Sequence, residues 1–226
     1  MNVEYNILNT MRIRFLVFVL LSIFSGRISF TQKSDNQLWN SAVLKLDINK
    51  KIRLDIEEQV RFNNNISHLN TTISEIGLRY ELTKKIELKT GFRYTYDPES
   101  HNSLRFSGDI SYTWSKKKFP VDVKYRLRYQ NTIEEYTKKT SGYIRNRIKV
   151  QYNLSRLADP FVAFESYFRL NYLNRFTSNR YFLGAEWKPC KKLNLDTFFL
   201  IEDEFDEFNP KLNKIFGLEL SYRFKL

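Results

Sequence analysis

Two histidines in this 226-residue chain are suited to proton transfer, His68 in ISHLN and His101 in SHNS. Ser67, Ser100 and Ser103 stand beside them. A serine activated by a histidine, with an Asn or acid behind it, is the machinery of acyl hydrolysis. Both histidines fall in predicted loops, where serine and histidine often meet by chance. The reading is therefore a non-enzymatic protein, with an acyl hydrolase as the alternative. Two loop histidines are also too few for a metal site, and no cofactor is expected.

A second cluster is the run EDEFDEF at 202–208, with Glu202, Asp203, Glu204, Asp206 and Glu207. Clustered carboxylates suit hard divalent cations. Their spacing here matches no defined cation loop, so a solvated acidic loop is expected and no metal.

The third cluster is basic. Lys124, Arg126 and Arg128 alternate along one segment, and Arg145, Arg147 and Lys149 along the next. If the two segments pair as a hairpin, six cations share one patch. Like charges directly opposite destabilise a sheet pair. Nearby acids such as Asp109, Asp122 and Glu165, lumen water or an anionic solute must then offset the repulsion. The two readings are a salt-bridged interior and an anion-preferring contact surface.

The elements that carry these residues have a period of two. In IRLDIEEQVRF (52–62), Ile52, Leu54, Ile56, Val60 and Phe62 share one parity and Arg53, Asp55, Glu57, Gln59 and Arg61 the other. That is a strand with one apolar and one polar face. The same alternation recurs about eleven times from position 38 to the end, in runs of roughly 9–11 residues, the length that crosses a bilayer when tilted. Pro98, Pro120, Pro189 and Pro210 sit at strand ends or in connections, where no ladder bond is lost. Connections alternate in length: NKK (49–51), TKK (83–85) and PCKK (189–192) are short, whereas 63–71, 131–139 and 203–213 are longer.

Composition narrows the class. Aromatics at 16% exclude disorder, while mean hydropathy of −0.49 fits both a soluble β protein and a barrel with a polar lumen. Net charge is +12. Without residues 1–32 the chain loses Arg12, Arg14, Arg27 and Glu4, leaving +10, which suits anionic partners. A single cysteine, Cys190, excludes an intrachain disulfide and a zinc cluster.

Residues 11–32 carry Arg12 and Arg14, then a ten-residue run from Phe15 to Phe24 that is apolar but for Ser22, then Ser25 and Gly26. This is the layout of a signal peptide, too short to span a membrane as a helix. Residues 1–32 are therefore read as the signal region, with a start at Met11 and cleavage within about 25–32, and 33–226 as one domain. Export argues against nucleic acid as the anionic partner.

Alternation alone does not say which face is wet. Three features favour an apolar face turned to lipid: the export signal, the placing of Trp114, Tyr94, Tyr96, Tyr129, Tyr152, Trp187 and Tyr222 near the ends of apolar faces, and a final strand, LELSYRFKL, alternating to Leu226. The expected fold is all-β: a single antiparallel up-and-down transmembrane barrel of about twelve strands (range ten to twelve), with short periplasmic turns and longer external loops. Residues 27–37 would supply the twelfth strand or thread the lumen. Glu58, on the apolar parity, is expected at the outer rim of a short lipid belt.

The pattern LWNSAVLKLDINKKIRLDIEEQVRF, with LELSYRFKL at the end, resembles the bacterial outer-membrane family catalogued as domain of unknown function 2490, over about 36–226. The resemblance implies location and fold, and no activity or site residues. Expected partners are outer-membrane lipid, lipopolysaccharide and the barrel-assembly machinery. The functional expectation is a small-solute or anion-preferring pore or a structural envelope protein, with a soluble periplasmic ligand-binding barrel as a further alternative.

Overall fold

The computed structural model describes residues 33–116, 119–155, 157–171, 174–205 and 210–226; the expected signal region lies outside them. Eleven strands are present among the described residues: β1 (Lys33–Asp47), β2 (Ile52–Asn63), β3 (His68–Glu81), β4 (Ile86–Tyr96), β5 (Ser103–Lys116), β6 (Phe119–Glu134), β7 (Thr140–Tyr152), β8 (Ala158–Arg169), β9 (Arg175–Cys190), β10 (Leu193–Glu204) and β11 (Lys211–Lys225). They close into one barrel in sequence order, each strand pairing with the next.

The count lies within the expected range, and its oddness has a consequence. In an up-and-down meander all odd-numbered strands run the same way, so β1 and β11 must meet in parallel. They do, with Lys33–Asp47 in unbroken register against Lys211–Lys225. The other ten pairs are antiparallel. Residues 33–37 therefore lengthen β1 and complete the parallel seam; they form no twelfth strand. Across the seam Arg223 grips Asp47 at 2.7 Å and 3.1 Å, and the Lys45 ammonium donates to Ser221 Oγ at 2.9 Å.

Short connections (48–51, 82–85, 117–118, 153–157, 191–192) gather at one end, two to five residues each. Those at the other end (64–67, 97–102, 135–139, 170–174, 205–210) have four to six. The contrast is smaller than the sequence suggests because strand pairing continues into stretches that read as loop. One loop is strained. Asn64, Asn65 and Ile66 all have positive φ, and a β-branched residue rarely adopts such a backbone. Asp35 of β1 holds it by accepting from the Asn64 and Asn65 amides at 3.2 Å and 3.0 Å.

The barrel is inside out relative to a soluble protein. Its outward parity exposes Ile110 (55%), Leu183 (56%), Phe106 (52%) and Tyr129 (53%), whereas inward Glu165, Asp109 and Arg128 are buried. Outward aromatics pair across strands, Phe92 with Phe106, Phe164 with Tyr181 and Phe199 with Phe216, at centroid distances of 5.1–5.4 Å. Glu58 also points outward, exposed between Ala42 and Ser74, and accepts from Ser74 Oγ at 2.8 Å. Beyond it, toward the longer loops, Asn40 and Thr72 follow on the neighbouring strands, so it stands where the apolar face of β1–β3 gives way, with Val60 and Phe62 as apolar exceptions.

Candidate functional site

The basic hairpin is real. β6 and β7 pair with Lys124 opposite Lys149, Arg126 opposite Arg147 and Arg128 opposite Arg145. All six side chains line the lumen. Such a column needs counter-charge, and carboxylates on other strands provide most of it.

Asp109 on β5 takes both arms of Arg128 at 2.7 Å each, a buried bidentate pair. Glu165 on β8, fully buried, accepts from Arg145 at 3.2 Å and 2.9 Å and from Arg126 at 2.7 Å. Lys124 lies 3.4 Å from Glu87 on β4, and Lys149 lies 3.8 Å from Glu186 on β9. Of the acids expected beside the stripe, Asp109 and Glu165 are there, while Asp122 accepts instead from Asn153 at 3.1 Å. Glu87 and Glu186 escape a strand-by-strand reading because each is two strands away from its lysine.

Three arginines in the lumen have no carboxylate within ion-pair distance among the described residues. Arg147 lies 4.4 Å over the Phe182 ring, and its Nε is buried without a hydrogen bond. Arg61 lies 3.8 Å over Trp39 and donates to Gln59 Oε1 at 2.8 Å. Arg105 donates to Thr132 Oγ1 at 3.0 Å. Cations on aromatic faces are attracted by the ring quadrupole, but they keep their full charge toward the cavity.

The opposite arc of the wall has a different order. Reading inward-facing residues from the short-turn end, β8 presents Asp159, Phe161, Ala163 and Glu165; β9 Glu186, Gly184, Phe182 and Arg180; β10 Asp196, Phe198, Leu200 and Glu202; β11 Glu219, Gly217, Ile215 and Asn213. Rows of charged and polar residues thus bracket two apolar rows. Trp39, Phe161, Ala163, Phe182, Leu200 and Ile215 form one buried cluster with Phe198 against it. Within the lower row Asp196 faces Glu219 directly.

The central cavity is about 420 Å³ and is lined by thirteen Lys or Arg and eight Asp or Glu side chains, a surplus of five positive charges. A second cavity of about 410 Å³ opens at the short-turn end. Arg79 and Glu87, paired at 2.8 Å, line both and stand at their junction, and Asp55 also holds Arg79.

The first three acids of the run do not lie in a loop. Glu202, Asp203 and Glu204 belong to β10, and alternation divides them: Glu202 turns inward to Arg180 at 2.6 Å, and Asp203 turns the other way. Glu204 accepts from Asn213 at 3.3 Å. Asp206 and Glu207 lie outside the described residues. His68 begins β3 with Nε2 2.7 Å from Glu99, and His101 stacks on Tyr136 at 5.2 Å. The Ser67 hydroxyl donates to the Asn64 carbonyl at 2.6 Å.

A family model described as protein of unknown function DUF2490 matches residues 36–210. No curated protein matches. Among solved structures, outer-membrane expressed OmpT of Vibrio cholerae aligns at 6% identity and a TM-score of 0.41, over 74% of this chain and 61% of that one. Acinetobacter baumannii OccAB4 aligns at 10% identity and 0.39, over 74% and 51%. The chain therefore spans less than two thirds of either.

Proposed function

We propose that this chain, which belongs to the DUF2490 family, is an outer-membrane β-barrel that serves as an anion-preferring pore for small solutes. Its location rests on the exterior. A continuous skin of exposed Leu, Ile, Phe and Tyr around a polar interior has no stable place in water and is the arrangement a bilayer requires.

The pore reading rests on one observation: a central cavity lined by five more cations than carboxylates, in which Arg61, Arg105 and Arg147 lack an acid partner among the described residues. Rings of fixed basic charge favour anions in a narrow aqueous path. Most of the basic hairpin is neutralised locally, so it serves as scaffold; the unpaired arginines set the preference.

The test is the reversal potential of purified protein in a planar bilayer under a potassium chloride gradient. Anion preference is expected, falling toward neutrality when Arg61, Arg105 and Arg147 are changed to Gln together. A cation-preferring or unselective wild-type current would refute the reading.

A further inference from the structure

An apolar patch on a lumen wall gains nothing from lipid, which lies on the other side of the strand. Phe161, Phe182 and Phe198 nevertheless point inward and border the central cavity. The wall is shaped around them. A Cβ on Gly217 would fall 2.0 Å from the Phe198 ring, and one on Gly184 would fall 2.5 Å from the Thr197 carbonyl oxygen and 2.7 Å from the Phe161 ring. Along the same strands this patch lies between an acidic row toward the short turns and the Arg180 row toward the longer loops. At its edges stand Arg147 over Phe182 and Arg61 over Trp39, both without a carboxylate partner among the described residues.

A cavity that joins an aromatic wall to unpaired guanidinium groups is complementary to one ligand chemistry. A simple inorganic anion makes no use of the rings, and a neutral apolar molecule leaves the charges unanswered. We infer that the central cavity binds a small amphipathic anion, its head held by Arg147 or Arg61 and its apolar body laid on Phe161, Phe182 and Phe198. Its size fits: cavities of roughly 300–1,000 Å³ hold small molecules, and this one is about 420 Å³. Asp196 and Glu219 repel the head from the short-turn side and so fix the orientation. The inference refines the anion-pore reading and rests on it for access to the cavity.

The experiment is equilibrium dialysis of naphthalene-1-sulfonate against the full barrel in lipid nanodiscs, with empty nanodiscs as background. Saturable binding above background is expected. Methanesulfonate, which has the head alone, and 1-naphthalenemethanol, which has the body alone, should each bind at least tenfold more weakly. Equal binding of either overturns the inference with no variant needed. Arg147→Gln with Arg61→Gln, and Phe182→Ala with Phe198→Ala, should each as a pair weaken naphthalenesulfonate binding at least tenfold in protein that keeps its heat-modifiable mobility; undiminished binding in either pair also overturns it. Conductance is read separately. Saturable binding without current refutes the pore and leaves the site standing, and current without binding does the reverse.

Discussion

Glu165 lies directly opposite Arg147 across the β7–β8 pair and does not bond it. Its carboxylate is taken by Arg145 from the same strand as Arg147 and by Arg126 from the strand beyond. Arg147 is left on the Phe182 ring with its charge available to the lumen. One buried acid thus stabilises two arginines and leaves a third free, and both the stability of the barrel and its proposed anion preference depend on that division.

Replacing Glu165 by Gln should be among the most destabilising single changes in the lumen. Removing one member of a buried ionic cluster leaves uncompensated charge and costs about 3–5 kcal/mol. Equilibrium unfolding in denaturant, from lipid vesicles, should show that loss. Changing Glu165 to Leu together with Arg126 and Arg145 to Met should cost less, because no buried charge is then orphaned.

Gly184→Ala should destabilise by about 1–3 kcal/mol, the usual cost of overpacking, because the new methyl meets a backbone oxygen at 2.5 Å. Gly108→Ala provides the contrast, since nothing lies within 4 Å of its would-be Cβ. Comparable losses at the two positions would contradict the packing described for the aromatic wall.

The acidic row should oppose the arginines. Asp196→Asn with Glu219→Gln removes two negative charges that border the central cavity, and anion preference should rise. The preference of the unaltered barrel should also weaken as salt increases from 0.1 M to 1 M, because the screening length falls from about 10 Å to about 3 Å. Reversal potentials at the two concentrations check both statements.

At the junction of the two cavities, Glu87→Ala with Arg79→Ala removes the pair that lines both. Single-channel conductance should increase. An unchanged conductance would place the narrowest point elsewhere.

Outside the barrel, Glu58 and Ile110 should differ as sites for a charge. Ile110 sits between Leu88 and Leu127 on the outward face, so Ile110→Lys should cost about 2–4 kcal/mol, as for a lysine at the bilayer midplane. Glu58→Lys should cost about 0–1 kcal/mol, the figure for a position near the interface. Equal costs in vesicle unfolding would put Glu58 deep in the lipid belt.

Much of the barrel is legible in its amino-acid sequence. Ile52, Leu54 and Ile56 against Arg53, Asp55 and Glu57 declare a two-faced strand without reference to any other part of the chain. The Lys124–Arg128 and Arg145–Lys149 runs declare opposed columns as soon as adjacent strands are taken to pair. The aromatic wall left a fainter trace: in LNLDTFFLIEDE and ADPFVAFESYF both parities turn apolar at mid-strand, which a single two-faced pattern does not need.

The alternation, the order of neighbouring strands and the faces on which charge and hydrocarbon lie follow from the amino-acid order alone, because these depend only on a two-residue period and on chain connectivity. The tertiary structure decided the rest. Eleven strands rather than twelve made the closing seam parallel, extended β1 to Lys33 and set the register around the whole circle. That register places Glu87 within reach of Lys124 and Glu186 within reach of Lys149, and brings Glu165 to Arg126. Counter-charges in a closed barrel are found across strands and around a curved wall, at distances in space that no spacing along the chain encodes.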